Sequence, residues 1–227
     1  MRIRVPLAIA AVLCCAWSGA AEAKKTTLDA GLYATYSGGP TSIGFIVCGS
    51  VPGSSGCYGT GNLGPFEQAC AVLEGTATQK DDVVTRAIYV LDKRTSKTAP
   101  ITLTVFKRTD TIANGFDQIQ VTQVQQIPLG VNGGARSHCS MAANDAFVYA
   151  ATDADTVAVG VDKKSFATFQ LGGFSPPETV TSITADERGY VSLHFDGGFY
   201  IYAPDGSFEG DGGGSAEMVG TRNAWKP

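Results

Sequence analysis

Residues 182–210 read SITADERGYVSLHFDGGFYIYAPDGSFEG, and this stretch decides the fold class. Ser182 to Ala185 is a short β-prone run. Asp186-Glu187-Arg188-Gly189 follows, with Gly189 free to take the positive φ of a tight turn. From Tyr190 to Phe195 the chain alternates, so a strand sets Val191, Leu193 and Phe195 on one face and Tyr190, Ser192 and His194 on the other. Asp196-Gly197-Gly198 supplies the next hairpin, because glycine tolerates the left-handed conformations required there. Phe199 to Tyr202 is apolar or aromatic on both faces, as in a strand packed between neighbouring sheets. In Ala203-Pro204-Asp205-Gly206, Pro204 fixes φ at the first central turn position. The stretch predicts one four-stranded antiparallel meander.

Asp186, Gly189, Val191 and Leu193, followed by Phe199, Ile201, Tyr202, Pro204, Asp205, Gly206 and Phe208, resemble an NHL-type or gluconolactonase-like β-propeller repeat. The likeness covers one blade well and the others in outline, and Ala203 stands where that repeat commonly has an acidic residue. It implies an all-β, small propeller-like array of antiparallel blades. Gluconolactonase-like propellers hold a divalent metal on acidic and amide residues at the ring centre. No such ligand set maps onto this chain residue by residue, and Asp186 belongs to a turn in the repeat grammar.

The apolar run ending in a polar turn recurs upstream, at Val157–Val161 before Asp162-Lys163-Lys164 and at Ile88–Leu91 before Asp92-Lys93-Arg94. Phe45–Cys48 before Gly49-Ser50 reads as a degenerate first copy. Anchors at Gly49, Asp92, Asp162 and Asp205 lie 43, 70 and 43 residues apart. The outer intervals fit a blade period of about 40–50 residues, and the middle one has room for a degenerate blade or an insertion. Four or five blades follow, in a small or incomplete ring. Closing the ring would place Met218–Arg222 beside the first blade near Leu32–Tyr36. Ile119–Ile127, rich in glutamine, reads as an exposed outer edge.

Arg2 and Arg4, the apolar run Leu7–Trp17 and the small-x-small site Ala21-Glu22-Ala23 make residues 1–23 a secretory signal peptide. A single domain over 24–227 remains, secreted or periplasmic, with no membrane span once the signal is removed. That mature chain has 15 basic and 20 acidic residues, a balance that argues against a nucleic-acid partner. Its four cysteines suggest two disulfides, with Cys48–Cys57 and Cys70–Cys139 the favoured pairing. His138 beside Cys139 offers a metal reading, but the spacing fits no zinc pattern and export favours oxidation.

The chain has no G-x-S-x-G, no H-E-x-x-H and no S-x-x-K with its supporting elements. General acid–base chemistry would rest on His138, His194 or carboxylates. His194 alternates with core residues and reads as structural. His138 lies in the polar loop Gly133–His138 and is the better functional candidate. Asp153 and Asp155, and the period-two series Asp205, Ser207, Glu209 and Asp211, are calcium candidates, although turn chemistry accounts for them more simply. Tyr33, Tyr36, Tyr58, Phe174, Tyr190, Tyr200 and Tyr202 offer stacking platforms for sugars, Tyr58 being the one expected to be exposed. The expectation is an exported, non-catalytic binding module that takes a protein or glycan, with no cofactor, through loops 49–57 and 130–138. Tyr58, Arg136 and His138 are the contact residues. The competing expectation is a metal-dependent hydrolase or lactonase working in a propeller channel.

Overall fold

The computed structural model describes residues 33–37, 41–51, 54–81, 83–93, 100–113, 116–133, 138–172, 179–186 and 188–213. The signal peptide, Arg136, Phe174 and Met218–Arg222 therefore lie outside the described residues. All regular structure within them is β. Sixteen strands form four antiparallel sheets that follow one another along the chain.

The first sheet is β1 (Tyr33–Ser37), β2 (Ile43–Val51) and β3 (Ser54–Leu63). The second comprises β4 (Gln68–Glu74), the short β5 (Thr78–Lys80), β6 (Val83–Lys93), β7 (Pro100–Ala113) and β8 (Phe116–Asn132). Its order is β4-β6-β7-β8, with β5 paired to β6. The third is β9 (Cys139–Ala143), β10 (Phe147–Thr152), β11 (Val157–Asp162) and β12 (Thr168–Gly172). The fourth is β13 (Val180–Ala185), β14 (Val191–Phe195), β15 (Gly198–Tyr202) and β16 (Phe208–Gly213). This last sheet is the meander read from residues 182–210. Gly189, Gly197 and Gly206 take φ of 89°, 98° and 87° at its three turns, the region that L side chains avoid.

Period-two alternation explains how the sheets stack. On β6, Ile88 and Val90 join Ile43, Leu63 and Phe66 in one core, whereas Tyr89 and Leu91 join Met141, Val148 and Val159 in the next. On β10, Val148 and Ala150 face that second core, whereas Tyr149 and Ala151 face a third with Ile183, Val191, Leu193 and Tyr202. The second and third sheets are thus apolar on both faces, and each is sandwiched by its neighbours in sequence. The first strands of successive sheets also adjoin, β9 packing against both β4 and β13. Ser140 Oγ fastens that seam, accepting from Ile183 N at 3.0 Å and lying 3.3 Å from Ile183 O. Cys70 on β4 and Cys139 on β9 are disulfide-bonded across the other seam. Cys48 lies opposite Cys57 in the β2–β3 register.

Three expectations are corrected. Residues 49–57 are not a loop but a β-hairpin, with Gly49 opposite Gly56 and Val51 opposite Ser54. Glycine and serine suggest a loop only when neighbouring backbone is absent, and here the ladder needs no side chain. Gly49 is therefore no repeat anchor. Nor is Asp92, the penultimate residue of β6, which is second in the order of its sheet, whereas Asp162 ends and Asp205 follows a strand that is third in its own. The carboxylate of Asp92 accepts from the backbone N–H of Gln68 at 2.7 Å and of Glu67 at 3.1 Å, a different task from turning a hairpin. Among the described residues the 70-residue interval holds no additional sheet, and its extra length is the β7–β8 hairpin, with strands of 14 and 17 residues. β8 is the outer edge that its glutamines announced.

Candidate functional site

At one end of β9 the connections β8–β9 and β10–β11 meet. His138 Nδ1 lies 2.7 Å from Asp153 Oδ2, its backbone N–H donates to Asp153 Oδ1 at 2.6 Å, and Asp153 N returns a bond to His138 O at 3.1 Å. The carboxylate engages Nδ1, which leaves Nε2 as the ring nitrogen not bonded to Asp153. The His138 side chain is 79% exposed; its ring is held by the one Nδ1–Asp153 bond and its backbone by the other two. Cys139, the next residue, is tied by its disulfide to β4. Lys93 is buried nearby. Burial lowers its ammonium pKa, and the Asp153 carboxylate works the other way. The same loops are anchored to the fourth sheet, as Val180 N donates to Asp155 O at 3.0 Å. This end presents an oriented imidazole backed by a carboxylate on a stapled base.

The opposite end of β9 holds a second feature, a groove of about 110 Å³ lined by Asn144, Asp145, Asp186, Arg188, Gly189 and Pro204 among others. Asn144 holds its wall together. Its Oδ1 accepts from Ala146 N at 3.0 Å and Phe147 N at 2.8 Å, and its Nδ2 donates to Gly189 O at 2.9 Å and Tyr149 OH at 3.2 Å. Burial pushes the Tyr149 phenol up to about 12, with the Asn144 bond acting against it and Asp205 with it. Lys163 Nζ donates to Asn144 O. Asp186 clamps its own turn by accepting from Arg188 N at 3.0 Å and Tyr190 N at 2.8 Å, and the exposed Arg188 guanidinium sits 5.4 Å over the Tyr190 ring. These groups are committed to holding two turns in place, which makes the groove scaffold rather than receptor.

The residues named from sequence fall in different places. His138 and Asp153, read separately as a ligand contact and a calcium ligand, are brought together. Asp155 instead caps Thr156 N at 2.7 Å. Asp205 accepts from Ser207 N and Oγ at 2.9 and 2.6 Å, bonds that lower its carboxyl pKa. Ser207 precedes β16, and Glu209 sits at a register shift, so the period-two series does not share one strand face. Among the described residues no three His, Cys, Asp or Glu side chains converge to hold a metal. Tyr58 lies on β3 opposite Val47, and its side chain is outside the described part. Tyr202 is buried in the third core with Tyr200 packed against it, and His194 is buried with Nε2 3.4 Å from Thr184 Oγ1.

Sequence reading passed over a buried ionic cluster. Arg108 donates to Asp110 Oδ1 at 2.8 Å and to Glu74 Oε1 at 3.0 Å, and Arg86 lies 3.5 Å from Glu74 Oε2. The signal was present, because Arg108 and Asp110 continue the Thr102, Thr104, Phe106 face of β7 into the first core. Among the described residues no helix is long and apolar enough to cross a membrane. No protein-family model, curated protein or solved structure matches this chain.

Proposed function

We propose that the protein is an exported, propeller-like binding module that captures a protein or glycan through the loop end carrying His138. The observation that carries this reading is the His138–Asp153 pair, an exposed ring held in one orientation above the Cys70–Cys139 staple. A rigid polar contact loses little freedom when it engages a partner, so it favours recognition. The competing channel hydrolase or lactonase requires three or more convergent ligand groups. Among the described residues no three such side chains converge, at His138 and Asp153 or elsewhere.

His138→Ala and Asp153→Asn should each weaken capture about tenfold, or about 1.4 kcal/mol, with the melting temperature unchanged because the imidazole lies outside the core. Titration against a panel of envelope glycans, and against partners crosslinked on the intact exporting cell, measures this. Wild-type affinity in both variants would remove the site. A parallel fall in melting temperature would assign the residues to scaffold.

In this reading the four sheets are blades of one ring, with β4, β9 and β13 innermost. Support comes from the fourth sheet, where Ser192 and His194 lie on the face turned away from the third core yet are only 1% and 8% exposed. Thr184 and Phe199 of the same sheet shield His194 in part, at 3.4 Å from Nε2 and 6.1 Å between ring centres. Closure of the ring by the residues after Gly213, beside the first sheet, would add to that shielding. Deleting residues 214–227 should then lower the melting temperature by several degrees, since about 1 kcal/mol moves it about 2–4 °C at this size. An unchanged melting curve would reject closure by the tail.

A further inference from the structure

We propose that two copies of this chain pair antiparallel, edge to edge, through the outer strand β8. Each sheet ends in an outer strand, and three of the four are poor templates for strand addition. β12 has five residues, β16 carries the exposed Glu209 and Asp211, and β3 contains three glycines. β8 differs. It is 17 residues long, forms the edge of the second sheet, and has no ionisable side chain after Asp117. Among the described residues nothing pairs beyond it, and residues 122–126 are all exposed. Among the described residues Val124 is one of the two exposed large hydrophobic residues.

Register narrows the pairing segment. Val105 faces Gln125 and Phe106 faces Gln123, so Val124 is a bulge that twists the following residues away, and Pro128 lacks an N–H. The usable edge is residues 117–123. A two-fold axis at Gln120 sets Ile119 of one copy opposite Val121 of the other, extending the stripe on which both already pack against the first core. Gln120 then meets itself. An amide both donates and accepts, so identical side chains satisfy each other with no like charges facing. This self-complementarity selects a second copy over a charged peptide. A seven-residue edge buries less than the roughly 1,200 Å² of stable interfaces, so the dimer is weak and concentration-dependent. It would double the number of His138 loop ends on one particle and make capture bivalent.

Sedimentation velocity on the full mature chain over a concentration series tests this. The dimer fraction should rise with concentration in the wild type. Gln120→Lys and Thr122→Lys should hold the protein monomeric at every concentration while melting like wild type, because both positions are exposed. Gln126→Lys, exposed but beyond the bulge, should leave the dimer intact. Gln120→Cys should oxidise to a covalent dimer. A wild type monomeric throughout overturns the proposal, as does a dimer untouched by Gln120→Lys or broken equally by Gln126→Lys. A monomer whose edge instead takes an extended peptide from another protein overturns the choice of occupant.

Discussion

Replacing Asp110 with alanine is expected to remove about 3–5 kcal/mol of folding stability, a large share of the roughly 5–15 kcal/mol of an ordinary domain. Arg108 and Asp110 are both 0% exposed, and the bond between them is 2.8 Å. The variant takes the Asp110 carboxylate from the buried Arg108 guanidinium and leaves it against Glu74, which Arg86 also engages. A buried charge that loses its partner cannot recover hydration, so the desolvation cost stands uncompensated. The double replacement Arg108→Met with Asp110→Leu should recover most of the loss, because well-packed apolar residues in place of a buried pair are close to neutral. Urea unfolding of wild type, Arg108→Met, Asp110→Leu and the double closes the cycle, with Asp110→Ala measured beside it. An Asp110→Ala protein within about 0.5 kcal/mol of wild type, well under the loss expected for breaking a buried pair, would contradict this account. So would a double variant worse than either single.

Removing the Cys70–Cys139 bond, by Cys70→Ala with Cys139→Ala, is expected to cost about 4 kcal/mol. The two cysteines are 69 residues apart, and a bond closing a loop of that length removes about that much chain entropy from the unfolded state. Cys139 is buried in the second core, so alanine is the replacement that adds no unsatisfied polar group there. Reductant should cost the wild type at least as much, and should cost the double variant only what a Cys48–Cys57 bond contributes. A change below about 1 kcal/mol would mean that the unfolded chain is already restricted, or that the β4–β9 seam carries its own stability.

The fourth sheet was legible residue by residue because its turns are local. Gly189, Gly197 and Gly206 sit where the backbone needs positive φ, and alternation from Tyr190 to Phe195 assigns faces without reference to any distant segment. The first sheet was not. Ser54–Leu63 has neither alternation nor β-branched runs, and it becomes a strand because Ile43–Val51 lies beside it to complete the ladder. Asp92 shows the same limit from another side. An apolar run followed by a charged residue marks the end of a strand but not which strand of a sheet has ended.

Sequence by itself determined the β class, the meander of residues 182–210 and the glutamine-rich edge, all carried by short-range periodicity and turn chemistry. Only the tertiary structure decided the rest. It set the count of sheets and their stacking order, seated Arg108 and Asp110 beneath the surface, and joined His138 to Asp153, fifteen residues away. The physical reason is common to all of these. A side chain's partner is set by which faces and loop ends come together when apolar strands bury both sides, and that depends on pairings far apart in the chain.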